Sequence, residues 1–431
     1  MCSMLLIYSH ISTSRLLYIC LFIFKEQLGI DFKFTIDSEK FRVHEGPKIN
    51  YSNTRITVGE FFIQNHSLLF EQGIRKQQVE CFIANNKAFF KTAGSDFSFD
   101  ILSAAFYLIS RYEEYLPHEK DLYGRYAHEN SLAYNEGFLH LPLINSWIKE
   151  LSKSLKLKFP TLRLQPPNFK FIPTYDIDMA WSYKNKGLLR NIGGFLKKPS
   201  LERIKVLTGL LKDPFDAYDW LHEQQQGDNL TPIYFFLVAE KNGRFDKNIL
   251  PHKDAMWKLV KYHAKKYEVG LHPSWQSGDN KSLLITENEQ LSAMCNVSET
   301  TISRQHYIRF NLPQGYKQLI DVGITDDYSM GYGSINGFRA SVASPFYWYN
   351  LAQEVQTTLR IHPFCFMDAN SFYEQKQTPE QTFDELLGYL SVCKENNCTL
   401  ISIWHNNFLG NAKRLNGWKK VYEKFISLAQ Q

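Results

Sequence analysis

The stretch FIPTYDIDMAW, residues 171–181, sets two aspartates, Asp176 and Asp178, into a run of apolar and aromatic side chains. On an extended strand, positions i and i+2 face the same way, about 6.6 Å apart. A buried acid without a partner is costly, so two acids on one face of an interior strand imply a shared chemical task.

From this strand onward the chain alternates apolar runs with helical segments: TPIYFFLVA (231–239), YEVGLH (267–272), QHYIRF (305–310), QLIDVGI (318–324), TLRIHPFCFMD (358–368) and TLISIWHN (399–406). Continuous apolar runs are how parallel strands covered on both faces read. Helices are expected between them, at 251–265 and 379–396 for example. The expected class is α/β: a distorted (β/α) barrel of about seven strands over residues 166–431.

Several of these runs end in a residue that a core would not choose. They give Asp176 and Asp178, His272, His306, Asp368 and His405. Barrels of this kind gather such residues on one rim, at the carboxyl ends of the strands. One carboxylate and two imidazoles suit a catalytic divalent metal with an open coordination position, and Asp178, His272 and His306 are the expected set. Asp176 is then free to take a proton from water, and His405 to act as the opposing acid. Arg339, in NGFRAS, can pair with Asp176 in two-point fashion. Trp275, Arg304, Asp327, Asp368 and Trp404 are the candidate substrate contacts, while other histidines, His263 and His362 among them, are expected to be structural or exposed.

Residues 1–160 read as a smaller α+β domain. DFKFTID (31–37) is an expected strand, QVECFIANNKAFF (78–90) a hairpin about Asn85 and Asn86, and SFDILSAAFYLISRYEEYL (98–116) a helix. Glu113 and Glu114 in that helix are expected on a solvated face. The proline-bearing stretch LKFPTLRLQPPNF (157–169) marks the boundary. LLYICLFIF (16–24) is too short to span a bilayer, and no small-residue cleavage site follows it. It is expected to be a core helix, with a cap at 12–14 and Gly29 as its stop.

Seven cysteines without a pairing framework suit a reducing compartment, so a cytoplasmic location is expected. The net charge of +5 is unevenly spread: residues 184–212 carry eight Lys or Arg against one acid, Glu202. That segment is either a solvated face or a contact for an anionic glycan or a membrane surface. No aromatic-interleaved or helix-turn-helix pattern accompanies it, so nucleic acid is not expected as a partner.

TYDID, GLHPSW, GFRAS and SIWHN, in this order, resemble the polysaccharide deacetylases of NodB-homology type, over residues 170–431. SRQHYIRF, DDYSMGYG, KINYS (48–52) and SRYEEYLP (110–117) resemble a bacterial subgroup with an uncharacterised N-terminal domain. The resemblance implies a distorted barrel, a zinc-like ion held by Asp-His-His, and removal of N- or O-acetyl groups from a saccharide or polysaccharide. Carried over, Asp176 matches the base, His405 the acid, His272 the first metal histidine and Arg339 the arginine that tethers the base. Two departures stand out. Ile177 separates aspartates that are adjacent in the family, so the roles of Asp176 and Asp178 can be exchanged. Gln276 stands where the family has its second metal histidine, so His306 has to supply that imidazole from elsewhere. A barrel that binds glycan without catalysis, or a scaffold in polysaccharide assembly docking through 184–212, are the alternatives.

Overall fold

Four short segments near the amino terminus pair side by side: β1 (Leu5–Tyr8), β2 (Phe32–Thr35), β3 (Lys48–Ser52) and β4 (Phe61–Gln64). They form a parallel sheet in the order β2-β1-β3-β4. The computed structural model describes residues 4–226 and 230–431. The helix between β1 and β2 begins at Ser14, where Thr13 Oγ1 accepts from Leu16 N at 3.1 Å. It continues as a π-helical turn to Gln27, burying Leu16, Ile19, Phe22, Ile23 and Phe24. Gly29 follows at φ 63°, and a Cβ there would lie 2.5 Å from the Gln165 carbonyl, so only glycine allows the 157–169 segment to pass. No helix among the described residues is long and apolar enough to cross a membrane. Cys2 lies outside the described residues; the other six cysteines are free.

β5 (Phe82–Ile83) and β6 (Lys87–Ala88) make the hairpin expected about Asn85 and Asn86. The helix expected over 98–116 is shorter, Ile101–Ile109, with Asp100 Oδ1 capping Ser103 N at 3.0 Å. Arg111 takes φ 54°, a conformation a helix cannot continue through, and Tyr112–Tyr115 forms a separate 3-10 turn. That break turns Glu114 inward. Far from lying on a solvated face, it is buried, accepting from Arg339 Nε and Nη2 at 2.8 and 2.6 Å and from Arg111 Nε at 2.7 Å.

The larger sheet holds β7 (Lys170–Ile177), β8 (Ile233–Leu237), β9 (Glu268–His272), β10 (Ile302–Ser303), β11 (Asp326–Asp327), β12 (Phe346–Asn350), β13 (Val355–Ile361), β14 (Phe366–Met367) and β15 (Thr399–His405). Its order is β12-β13-β11-β10-β9-β8-β7-β15-β14, parallel throughout except for β12 with β13. The molecule is thus mixed α/β, built on a mostly parallel sheet. β13 and β14 are successive parts of one stretch of chain. Its first part pairs with β11, its second with β15, and Phe364 N donates to the Met330 carbonyl at 3.1 Å between them.

Two of the expected strands are displaced. Residues 305–310 hold a 3-10 turn, His306–Ile308, and 318–324 falls largely in the helix Gln314–Asp321, which buries Tyr316 and Leu319. The strands themselves are the two-residue pieces immediately before or after, too short to leave an alternating pattern.

His263 lies inside the helix Asp254–Ala264, 1% exposed, with its ring 4.5 Å from that of Tyr234 and its Nδ1 2.9 Å from the Leu259 carbonyl. Burial lowers it from 6.5 to about 4. The folded protein therefore keeps this ring neutral while the unfolded chain binds a proton, so stability falls as pH drops from about 6.5 to about 4 and the loss then stops. Urea unfolding should show wild type losing about 3 kcal/mol more than His263→Gln across that window. Equal losses would mean the ring is charged in the fold.

Candidate metal centre and cleft

The registers of β7, β8, β9 and β15 bring their carboxyl ends level: Asp176 stands opposite Phe235 on one side and His405 on the other, and Leu237 stands opposite His272. β7 stops at Ile177 because Asn248 interrupts it. The Asn248 amide donates to the Ile177 and Leu237 carbonyls at 3.1 and 2.9 Å, and its oxygen accepts from Ala180 N at 2.9 Å. Asp178 thereby leaves the strand. Its carboxylate still borders the same imidazole as Asp176: His272 Nε2 is 3.0 Å from Asp178 Oδ1 and 3.8 Å from Asp176 Oδ2.

His306 arrives from the turn after β10, its Nε2 3.4 Å from Asp178 Oδ2. The donor atoms of Asp178, His272 and His306 lie within 4.8 Å of one another. Gln276 is exposed on the loop beyond β9 and is no part of the group.

The donor set fits a divalent ion on two observations. Asp178 Oδ1 and His272 Nε2 are buried with no hydrogen-bond partner, although 3.0 Å apart. Each histidine is also fixed through its other nitrogen, His272 Nδ1 at 2.6 Å from the Arg304 carbonyl and His306 Nδ1 at 3.0 Å from Asp246 Oδ1. A carbonyl or carboxylate on Nδ1 sets the tautomer that leaves Nε2 free to ligate.

His405 stands across the cleft. Its Nδ1 is 2.6 Å from Asp368 Oδ1, its backbone N donates to Asp368 Oδ2 at 2.7 Å, and its Nε2 is 3.5 Å from Asp178 Oδ2. Burial alone would lower its pKa, but Asp368 and then Asp178 outweigh it and hold it up at about 10. His306 is likewise pushed up, to about 9, chiefly by Asp178 against the cost of burial. Burial would raise the Asp178 carboxyl, yet His306 and His405 keep it well below the usual carboxylate range. The Asp178 carboxylate, with Asp176 beside it, faces three imidazoles, a field that attracts a divalent cation as readily as protons.

Arg339 does not reach Asp176: Glu114 holds its Nε and Nη2, and its Nη1 donates to the Gly331 carbonyl at 3.2 Å. The guanidinium on Asp176 is that of Arg304, wholly buried, with Nη1 2.8 Å from Asp176 Oδ1 and 2.7 Å from Thr174 Oγ1, and its Nε donating to the Tyr328 carbonyl. Arg304 is therefore no substrate contact. Neither is Asp327, buried and accepting from Ser303 and Ser329, nor Asp368, buried behind His405. Trp404 is fully buried, as befits a strand residue pointing away from the rim. Trp275 stacks on Phe245 at 3.9 Å and backs the cleft rather than lining it.

The cleft over the centre has a volume of about 420 Å³ and is lined by Asp176, Asp178, His272, His306 and His405 on its floor. One wall is aromatic: Tyr123, Phe245 and Tyr307, with ring centroids 5.4–6.2 Å apart. Tyr123 and Arg125 reach it from the first 160 residues, Arg125 donating to the Tyr307 carbonyl at 2.8 Å. Sequence reading missed these residues, Asn248 and Asp246. All sit in loops without periodicity, and only the polar-aromatic run DLYGRY (121–126) hints at a surface role.

A family of unknown function, DUF7033, matches residues 5–160. No curated protein matches the chain. Among solved structures, one described as "putative polysaccharide deacetylase from Mycobacterium smegmatis" is similar at a TM-score of 0.41 and 13% identity, over 61% of this chain and 84% of that chain. That likeness is too remote to carry an activity across.

Proposed function

We propose that this protein is a metal-dependent hydrolase that removes acetyl groups from a saccharide or polysaccharide, acting on a carbon–nitrogen bond other than a peptide bond or on the matching ester. The observation that supports it most is the convergence of Asp178, His272 and His306 from separate elements, with a second carboxylate and a buttressed histidine alongside. Asp178, nearer to both imidazoles than Asp176 is to His272, takes the ligand role. A divalent ion, with zinc the best match to this donor set, would polarise the acyl carbonyl and acidify the attacking water when bound. Asp176, fixed through one oxygen by Arg304, accepts the water's proton with the other. His405, kept charged by Asp368, gives a proton to the departing nitrogen or oxygen. The aromatic wall suits the apolar face of a sugar ring.

In this reading residues 166–431 form a distorted barrel, with β13 and β14 as one strand, and carry the reaction. Residues 1–160 form an α+β domain that completes the cleft with Tyr123 and Arg125. The free thiols agree with a cytoplasmic setting. Acetate released from N-acetylated and O-acetylated oligosaccharides tests the proposal. Release that stops on chelation and returns with zinc or a similar ion is expected. Release indifferent to chelation contradicts it, and saccharide binding with no release under any metal would identify a glycan-binding cleft instead.

A further inference from the structure

The segment between β7 and β8 wears its apolar side outward. Nine of the 25 exposed large apolar side chains on the described residues fall within residues 188–211. In the helix Leu188–Lys197, Leu188, Leu189, Ile192 and Leu196 occupy positions i, i+1, i+4 and i+8, one stripe of a helical surface, and are 47–87% exposed. The polar side of that helix is turned inward. Arg190 donates to the Asn248 and Lys247 carbonyls at 3.1 and 3.0 Å, and Asn191 donates to the Tyr183 carbonyl at 3.0 Å. The next helix, Leu201–Leu207, is tied on by Arg203, whose Nη1 donates to the Asn191 carbonyl. A helix resting on a soluble protein buries its apolar stripe; here the arrangement is reversed and held so by arginines.

Exposed Lys197, Lys198 and Lys205 interleave with the leucines, and among the described residues no carboxylate pairs with them. Leucines outward among unpaired lysines are the makeup of a helix lying in the headgroup region of an anionic bilayer. A second copy related by two-fold symmetry would set these lysines against their own counterparts, and a soluble anionic glycan would leave the leucines in water. We propose that residues 188–211 dock this protein on an anionic membrane leaflet. Arg190 grips the backbone at Lys247, and both Lys247 and Met179 line the cleft, so docking sets the cleft mouth beside the lipid surface. The inference is independent of the hydrolase reading.

Co-sedimentation of the full chain with vesicles tests it. Binding to phosphatidylcholine vesicles containing phosphatidylglycerol, and not to phosphatidylcholine alone, is expected. Leu189→Ser/Leu196→Ser and Lys197→Glu/Lys198→Glu/Lys205→Glu should each weaken that binding by about tenfold or more at unchanged melting temperature. Absence of binding to the anionic vesicles, equal binding to neutral ones, or binding untouched by either variant overturns the proposal. So does a wild-type dimer that the leucine variant converts to monomer, since the stripe would then belong to a second copy.

Discussion

Asp176→Asn should slow acetyl hydrolysis by about 10²–10⁴-fold, the usual contribution of a positioned general base, while the chain still binds its divalent ion. The amide keeps the shape of the carboxylate and can still accept from Arg304, but it cannot take a proton. The ion is retained because Asp178, His272 and His306 are untouched. Asp178→Asn and His306→Ala should lose ion and activity together. His405→Gln separates the acid from the base: it should slow amide substrates severely and an activated aryl acetate far less, because a good leaving group needs no proton. Rate measurements on those two substrates, with metal content determined on the same samples, check the assignment. Loss of the ion in Asp176→Asn would exchange the roles of the two aspartates, and an unchanged rate would remove Asp176 from the reaction.

Glu114→Gln should cost about 3–5 kcal/mol of folding free energy. Arg339 then keeps its charge in a buried site with a neutral amide, the Gly331 carbonyl and the faces of Phe310, Tyr332 and Tyr126 near it and no carboxylate of its own, while Arg111 retains Glu113. Burial would raise the Glu114 carboxyl, but Arg339 and Arg111 bring it down to about 2. Its contribution is therefore present above the ordinary value of 4.5 and is lost as pH falls through about 2. Denaturant unfolding of Glu114→Gln, Arg339→Met and the double variant measures the pair. The double variant should lose clearly less than the sum of the two, and strict additivity would mean that the two groups do not depend on each other. The bond matters beyond stability, because it ties the turn after the helix Ile101–Ile109 to the segment that follows β11.

Much of the site was legible because a parallel strand buried on both faces advertises its polar end. TYDID, GLH and SIWH each break an apolar run with polar residues that face the cleft, and Asp176, Asp178, His272 and His405 stand where those breaks lie. His306 was legible as a residue and not as an element: it rides a turn after a strand of two residues. Arg304 and Arg339 show the limit. Both are arginines in short polar-aromatic runs, and which of them meets Asp176 depends on where Glu114 goes. Glu114 goes inward only because Arg111 leaves the helical region, and no periodicity records that. Asp246, which holds His306 by Nδ1, left no signal, whereas Asp368 was legible as the acid ending a strand but not as the partner of His405 Nδ1. The fold followed the same division. Long apolar strands and the Thr13-capped helix were where the pattern placed them, whereas β10 and β11, too short for any pattern, were mistaken for their neighbours.

X-ray absorption at the metal edge of the full chain loaded with a single equivalent of zinc reads the centre directly. A first shell of oxygen and nitrogen is expected, with the scattering of two imidazoles, His272 and His306, reduced to one in His306→Ala. A shell with one imidazole or none in the wild type, or one that His306→Ala leaves unaltered, would contradict it.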